Sequence, residues 1–110
     1  MQAKPKQIIE PQALTATTDE YYAAPAGKKV IISKFTLSNG GAAAVACDVH
    51  IVPSGDSADA TNKIIPAKLV DTDEAFAAYQ LEGQVLDEGD KIFVKGGADV
   101  VVMSSGVELF

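Results

Sequence analysis

The stretch Lys28-Lys29-Val30-Ile31-Ile32-Ser33-Lys34-Phe35-Thr36-Leu37-Ser38 decides the fold class of this 110-residue chain. Strand side chains point alternately to opposite faces. On that reading Ile31, Ser33, Phe35 and Leu37 share one face, and Val30, Ile32, Lys34 and Thr36 share the other. Upstream, Pro25-Ala26-Gly27 reads as a turn, because Gly accepts the positive φ that a tight turn requires. Downstream, Asn39-Gly40-Gly41 reads as a type I′ hairpin turn into a second strand over 43–52. There Val45, Cys47, Val49 and Ile51 alternate with Ala46, Asp48 and His50.

The same period continues to the C-terminus. Pro53-Ser54-Gly55-Asp56 breaks the second strand, and 56–63 is small and polar, as a surface loop is. Ile64-Ile65 starts a short strand that Pro66 ends or confines to a sheet edge. Residues 69–78 fit a strand, a loop or one helical turn; the neighbouring elements favour a loop leading into a strand over 75–81. Val85-Leu86 precedes an acidic turn, Asp87-Glu88-Gly89-Asp90. Lys91–Lys95 follows with Ile92 and Val94 on one face. Gly96-Gly97-Ala98-Asp99 is another turn, and Val100–Met103 is apolar throughout, as expected of a strand buried on both faces.

Roughly seven or eight short strands, with turn signals about every 8–12 residues and no long helix, predict an all-β fold, an antiparallel β-sandwich of jelly-roll type. The expected core face is Ile31, Phe35, Leu37, Val45, Val49, Ile51, Ile92, Val94, Val101 and Met103. Residues 14–110 make one sandwich domain. Residues 1–13, polar and carrying Pro5 and Pro11, read as an extended N-terminal arm. The arm is expected to dock on a neighbouring subunit through Lys4, Lys6, Ile8 and Ile9, with Tyr21 and Tyr22 added to the interface. On this view, deleting 2–10 leaves the sandwich folded and weakens assembly.

Composition limits the chemistry. The net charge is −6, and all nine basic residues are Lys. An acidic chain without Arg is a poor ligand for nucleic acid. Residues 1–34 carry five Lys and three acids; residues 35–110 carry four Lys and twelve acids. A basic end on an acidic body suits subunit association. The single Cys47 has no partner for an internal disulfide and reads as a buried, inert thiol. No apolar run is long enough for a membrane span, and the first residues lack the apolar region of a secretory signal. The expected site of synthesis is a reducing cytoplasm.

No constellation calls for catalysis or a cofactor. Asp48 and His50 share a strand face, but a zinc site needs more ligands than one His and one Cys provide. The acids at 71–74 and 87–90 lack the spacing of an EF-hand loop and read as solvated turns. The Ser-Gly pairs lack the nucleophile-elbow pattern. Tyr21, Tyr22 and Tyr79 are better suited to packing than to stacking on sugars. The expectation is a protein without catalytic residues, cofactor or metal. The chain has seventeen Ala, which allow flat faces and close packing between subunits.

Several segments carry a resemblance. They are Tyr21-Tyr22-Ala23-Ala24-Pro25-Ala26-Gly27 with the strand through Asn39; His50-Ile51-Val52-Pro53-Ser54-Gly55; Val85–Ile92; and Ser105-Gly106-Val107-Glu108. Over about 7–109 the chain resembles small virion structural proteins of tailed bacteriophages. The resemblance implies a structural subunit, either a capsid decoration (cement) protein or a neck or tail component. Its implied partners are the major capsid protein or neck and tail proteins. It also implies a homo-oligomer, most simply a trimer, located in the virion after synthesis in the host cytoplasm. The alternative is a tail-fibre module that binds a host-surface protein or glycan.

Overall fold

The computed structural model describes residues 2–110. Nine strands run in chain order: β1 (Ala3–Ala13), β2 (Asp19–Ala23), β3 (Lys29–Asn39), β4 (Val45–Val52), β5 (Lys63–Val70), β6 (Ala75–Ala77), β7 (Val85–Leu86), β8 (Lys91–Lys95) and β9 (Val100–Leu109). A single 3-10 turn, Tyr79–Leu81, lies between β6 and β7. The first sheet has the order β1-β9-β3-β6, with β7 also on β3; the second has the order β2-β8-β4-β5. All the pairings are antiparallel. The chain crosses between the sheets at every connection except β4–β5, a hairpin within the second sheet, and β6–β7, both on β3 of the first. The smallest dimension, 19 Å, fits two sheets about 10 Å apart with their outer side chains.

The core fills the space between the sheets. Phe35, Leu37, Val49, Ile92 and Val94 are buried there, as the alternation predicts, and Val45 and Ile51 pack partly buried against them. Three residues expected in the core lie elsewhere. Ile31 is only half-buried, and Val101 and Met103 are 37 % and 45 % exposed. Two physical causes account for this. A β-bulge interrupts β3, where Ile32 faces Gly106 but Lys34 faces Ser105. The extra residue reverses the parity of the strand, so Val30 and Ile32 point inward before the bulge and Phe35 and Leu37 point inward after it. In β9 the run Val100–Met103 is apolar at every position and carries no parity signal. The inward set is Val100, Val102, Ser104, Gly106 and Glu108. Gly106 is required where it stands, because a Cβ there would lie 2.6 Å from the Ile31 carbonyl oxygen.

Asn39-Gly40-Gly41 is not a hairpin. β3 and β4 belong to different sheets, and neither Gly40 nor Gly41 has a positive φ. Asn39 is instead a buried bracket between the layers. Its Nδ2 donates to the carbonyls of Ala43 and Val70, both at 2.9 Å, and its Oδ1 accepts from Gly41 N–H at 2.9 Å. Its backbone bonds Glu74 O and Asp73 N–H. Asn39→Ala should cost roughly 1–3 kcal/mol, because the buried Val70 carbonyl and the partly buried Ala43 carbonyl lose their donor; chemical denaturation would measure the loss.

The span 69–78 resolves into the end of β5, a turn and the three-residue β6, and the strand expected to reach 81 gives way to the 3-10 turn. The Pro25 turn forms as expected: Lys28 N–H donates to Pro25 O at 3.2 Å, and Gly27 has φ 76°. Pro66 does lie on an edge strand. Opposite Asp48 the β4–β5 register breaks, Ala67 takes φ 44°, and its N–H donates to Asp48 Oδ1 at 2.6 Å. The other edges are also interrupted. β1 holds Pro5 and Pro11 and has register breaks between Gln7 and Ile9 and between Ile9 and Gln12; β2 breaks between Glu20 and Tyr22; β6 and β7 are three and two residues long.

Candidate functional site

The expected assembly arm is part of this chain's own sheet. Residues 3–13 are β1, hydrogen-bonded along β9 from Ala3 opposite Leu109 to Ala13 opposite Val101. Ile8 and Ile9 are 6 % and 1 % exposed, in the core, so they have no surface to offer a neighbour. Tyr21 and Tyr22, on β2, pack half-buried against that core. Tyr79 is exposed on the 3-10 turn near the other sheet, so the three tyrosines form no platform. Lys4 is exposed. Lys6 turns back to its own chain, where its Nζ lies 3.3 Å from Glu108 Oε2.

That contact belongs to a cluster composition did not reveal. Glu108 lies on the inner face of β9 and is buried. Lys28 Nζ reaches its other oxygen at 3.3 Å. The Tyr22 hydroxyl is buried with no hydrogen-bond partner among the described residues, and burial, then the charge of Glu108, push its pKa up. Burial pushes the Glu108 carboxyl up as well, but hydrogen bonds and charge from Lys28 and Lys6 outweigh it and hold the group below the ordinary carboxylate range. A depressed carboxyl contributes stability above its unfolded pKa, about 4.3, and loses it as pH falls through the folded value. Glu108→Gln should therefore flatten the acid limb of the stability profile, and two Lys without a counter-charge should lower the melting temperature at pH 7. Superimposable acid limbs in the two proteins would show that the pair has no such role.

Cys47 is fully buried on the inner face of β4. Burial, then the charge of Asp48, raise its thiol pKa. Native protein should react with a thiol reagent orders of magnitude more slowly than urea-unfolded protein, because reaction waits on opening of the sheet.

The acidic turns bind their own backbone and lysines. Glu74 Oε1 accepts from Asp71 N–H, and Asp90 accepts from Asp87 and Ser54 N–H. Asp87 pairs with Lys29 at 3.5 Å. Among the described residues no group of His, Cys, Asp and Glu is arranged to hold a metal, and no helix is long and apolar enough to cross a membrane.

Two surfaces stand out. The first is the outer face of the β1-β9-β3 sheet. Pro5, Val107, Ile31 and Val85 line up in one row across four strands. Beside them Met103 adjoins Thr36, which in turn adjoins Ala77, and Val101 adjoins Ala13 and Ser38. Lys29 and Lys34 are the charges at these registered positions, and each is already paired, with Asp87 and with Glu82.

The second surface is a polar cleft of about 410 Å³ on the outer face of the other sheet. It is lined by Asp48 and His50 of β4, Lys63 of β5 and Lys95 of β8, by Ala58, Asp59 and Ala60 of the β4–β5 loop, and by Thr18. Asp48 and His50 share this face but are not hydrogen-bonded to each other. Asp48 is engaged with Ala67 N–H and, at 4.0 Å, with Lys63. The imidazole bonds Asn62, with Nδ1 3.0 Å from Oδ1. Asn62 Nδ2 donates to Ser57 O, and its Oδ1 also accepts from Asp59 N–H. That orientation makes His50 Nδ1 the protonated nitrogen, so the loop over 56–63 folds back onto the sheet and fixes the ring. Sequence spacing could not show this, since the partner lies across the β4–β5 loop. Compared with protein-family models, curated proteins and solved structures, the chain matches none.

Proposed function

We propose that the chain is a non-enzymatic structural protein of a tailed-phage virion, a capsid decoration protein or a neck or tail component. The observation that carries the reading is the largely apolar outer face of the β1-β9-β3 sheet, whose two Lys are each paired with a carboxylate, on a chain of net charge −6. Copies of an acidic protein repel one another least through a face whose charges are paired. A flat patch holding Val85, Val101 and Met103 in the open is a surface for protein contact rather than for chemistry. The resemblance of residues 7–109 to small virion proteins supports the same role. Closed cyclic contact through this face gives a homo-oligomer, most simply a trimer, seated on a capsid or tail protein. Residues 3–13 enter this contact as one strand of the face and not as a free arm, since β1 is hydrogen-bonded along β9.

The test is incorporation. Particles purified from a culture that makes the chain should contain it in stoichiometric amount, and a Met103→Asp variant should fold normally yet be depleted from them. Absence of the wild-type chain from the particle fraction, or equal incorporation of the variant, would overturn the proposal.

A further inference from the structure

The cleft on the second sheet lies on the opposite side of the sandwich from the proposed contact face, so it remains open when that face is covered. Its groups are a balanced set. Two ammonium groups, Lys63 and Lys95, oppose two carboxylates, Asp48 and Asp59, so a ligand of either net charge meets a like charge. Not all of these groups are occupied. Lys95 has no ion-pair partner among the described residues, although it faces Asp48 across the strands. His50 is 4 % exposed and lines the cleft, and with Nδ1–H given to Asn62 its Nε2 is an acceptor without a protein partner. Asp59 uses Oδ1 for the backbone and hydroxyl of Thr61, leaving Oδ2 unused. Donors and acceptors thus alternate around one small space.

A hydroxyl group both donates and accepts, and adjacent hydroxyls on a ring present that alternation. We propose that this cleft binds a small neutral polyhydroxylated ligand, a monosaccharide unit. Lys95 and the Thr18 hydroxyl donate to its oxygens, and His50 Nε2 and Asp59 accept from its hydroxyls. The ring is held in place before binding, because Asn62 anchors both the imidazole and the loop, so little ordering remains to oppose association. Phe93, beside His50 in the register, lies outside the lining, so binding rests on hydrogen bonds and is weak and selective for hydroxyl arrangement.

Amide-proton NMR titration of the full chain tests this. The probes are methyl glycosides of glucose, galactose, mannose and N-acetylglucosamine, with inorganic phosphate and glycine as charged and zwitterionic comparisons. At least one glycoside should shift resonances around His50, Lys95 and Asp59 with a Kd on the order of 1 mM. The charged and zwitterionic probes should leave them in place. Lys95→Met and Thr18→Val should each weaken binding by about tenfold with an unchanged melting temperature. No shift with any glycoside at about 50 mM, or tighter binding of phosphate or glycine, overturns the assignment. Neither result bears on incorporation into particles, which depends on the opposite face.

Discussion

Replacing Phe35 by alanine should remove about 3–5 kcal/mol of unfolding free energy. Small domains are stable by only about 5–15 kcal/mol, so this single change reaches the scale of the whole. Phe35 heads the fully buried side chains of the core. It occupies the inner face of β3 just after the bulge, opposite Ser104 of β9. The informative comparison is Ile31→Ala. Uninterrupted alternation would put Ile31 on the same face as Phe35; the bulge puts it outside, half-buried beside Val85 and Val107. Its loss should cost about 1 kcal/mol. Urea denaturation of both variants decides between the parities, provided that the m-values agree. Equal costs would mean that β3 runs without the bulge.

Deleting residues 2–10 should abolish cooperative folding, contrary to what a detached arm would give. The deletion takes Ile8 and Ile9 out of the core, about 3–6 kcal/mol by burial alone. It removes Lys6 from Glu108, leaving that buried carboxylate with Lys28. It also strips β9 of its outer neighbour, exposing a row of backbone donors and acceptors to any passing strand. The truncated chain should show a collapsed proton NMR spectrum and sediment as aggregate. Lys4→Ala, at an exposed position of the same strand, should change the midpoint little. A dispersed spectrum with a wild-type midpoint for the truncated chain would return 1–13 to the status of an accessory arm.

The fold class was legible because most strands alternate and most turns carry Gly, Pro or Asp where the backbone needs them. Ile92 and Val94, Val49, and the Pro25–Gly27 turn all follow local rules. The misplacements have particular causes. A bulge at Ser33 leaves no compositional mark, so Ile31 was read on the wrong side of it. Val100–Met103 satisfies both parities equally. Asn39-Gly40-Gly41 has the chemistry of a hairpin, but the side chain of Asn39 bonds across the layers, and that pairing depends on β5, some thirty residues on. The N-terminal segment reads as an extended arm because its prolines and lysines suit a free arm as well as an edge strand. The candidate surfaces were legible only in pieces. Asp48 and His50 are visible in the sequence, but the clasp by Asn62 and the approach of Asp59 exist only once the loop has folded back, and Lys95 arrives only through the pairing of β4 with β8.

The interrupted edges govern how the protein behaves when many copies crowd together. A strand that ends a sheet normally templates the next molecule, and growth by that route has no natural stopping point. Here each border is a poor template: proline and breaks in β1, a proline bulge in β5, a break in β2, and two scraps of strand in β6 and β7. Strand-by-strand growth of fibres is therefore disfavoured at the perimeter. The broad faces, unlike the edges, are left as continuous surfaces, and contact through a face ends with the molecules that cover it.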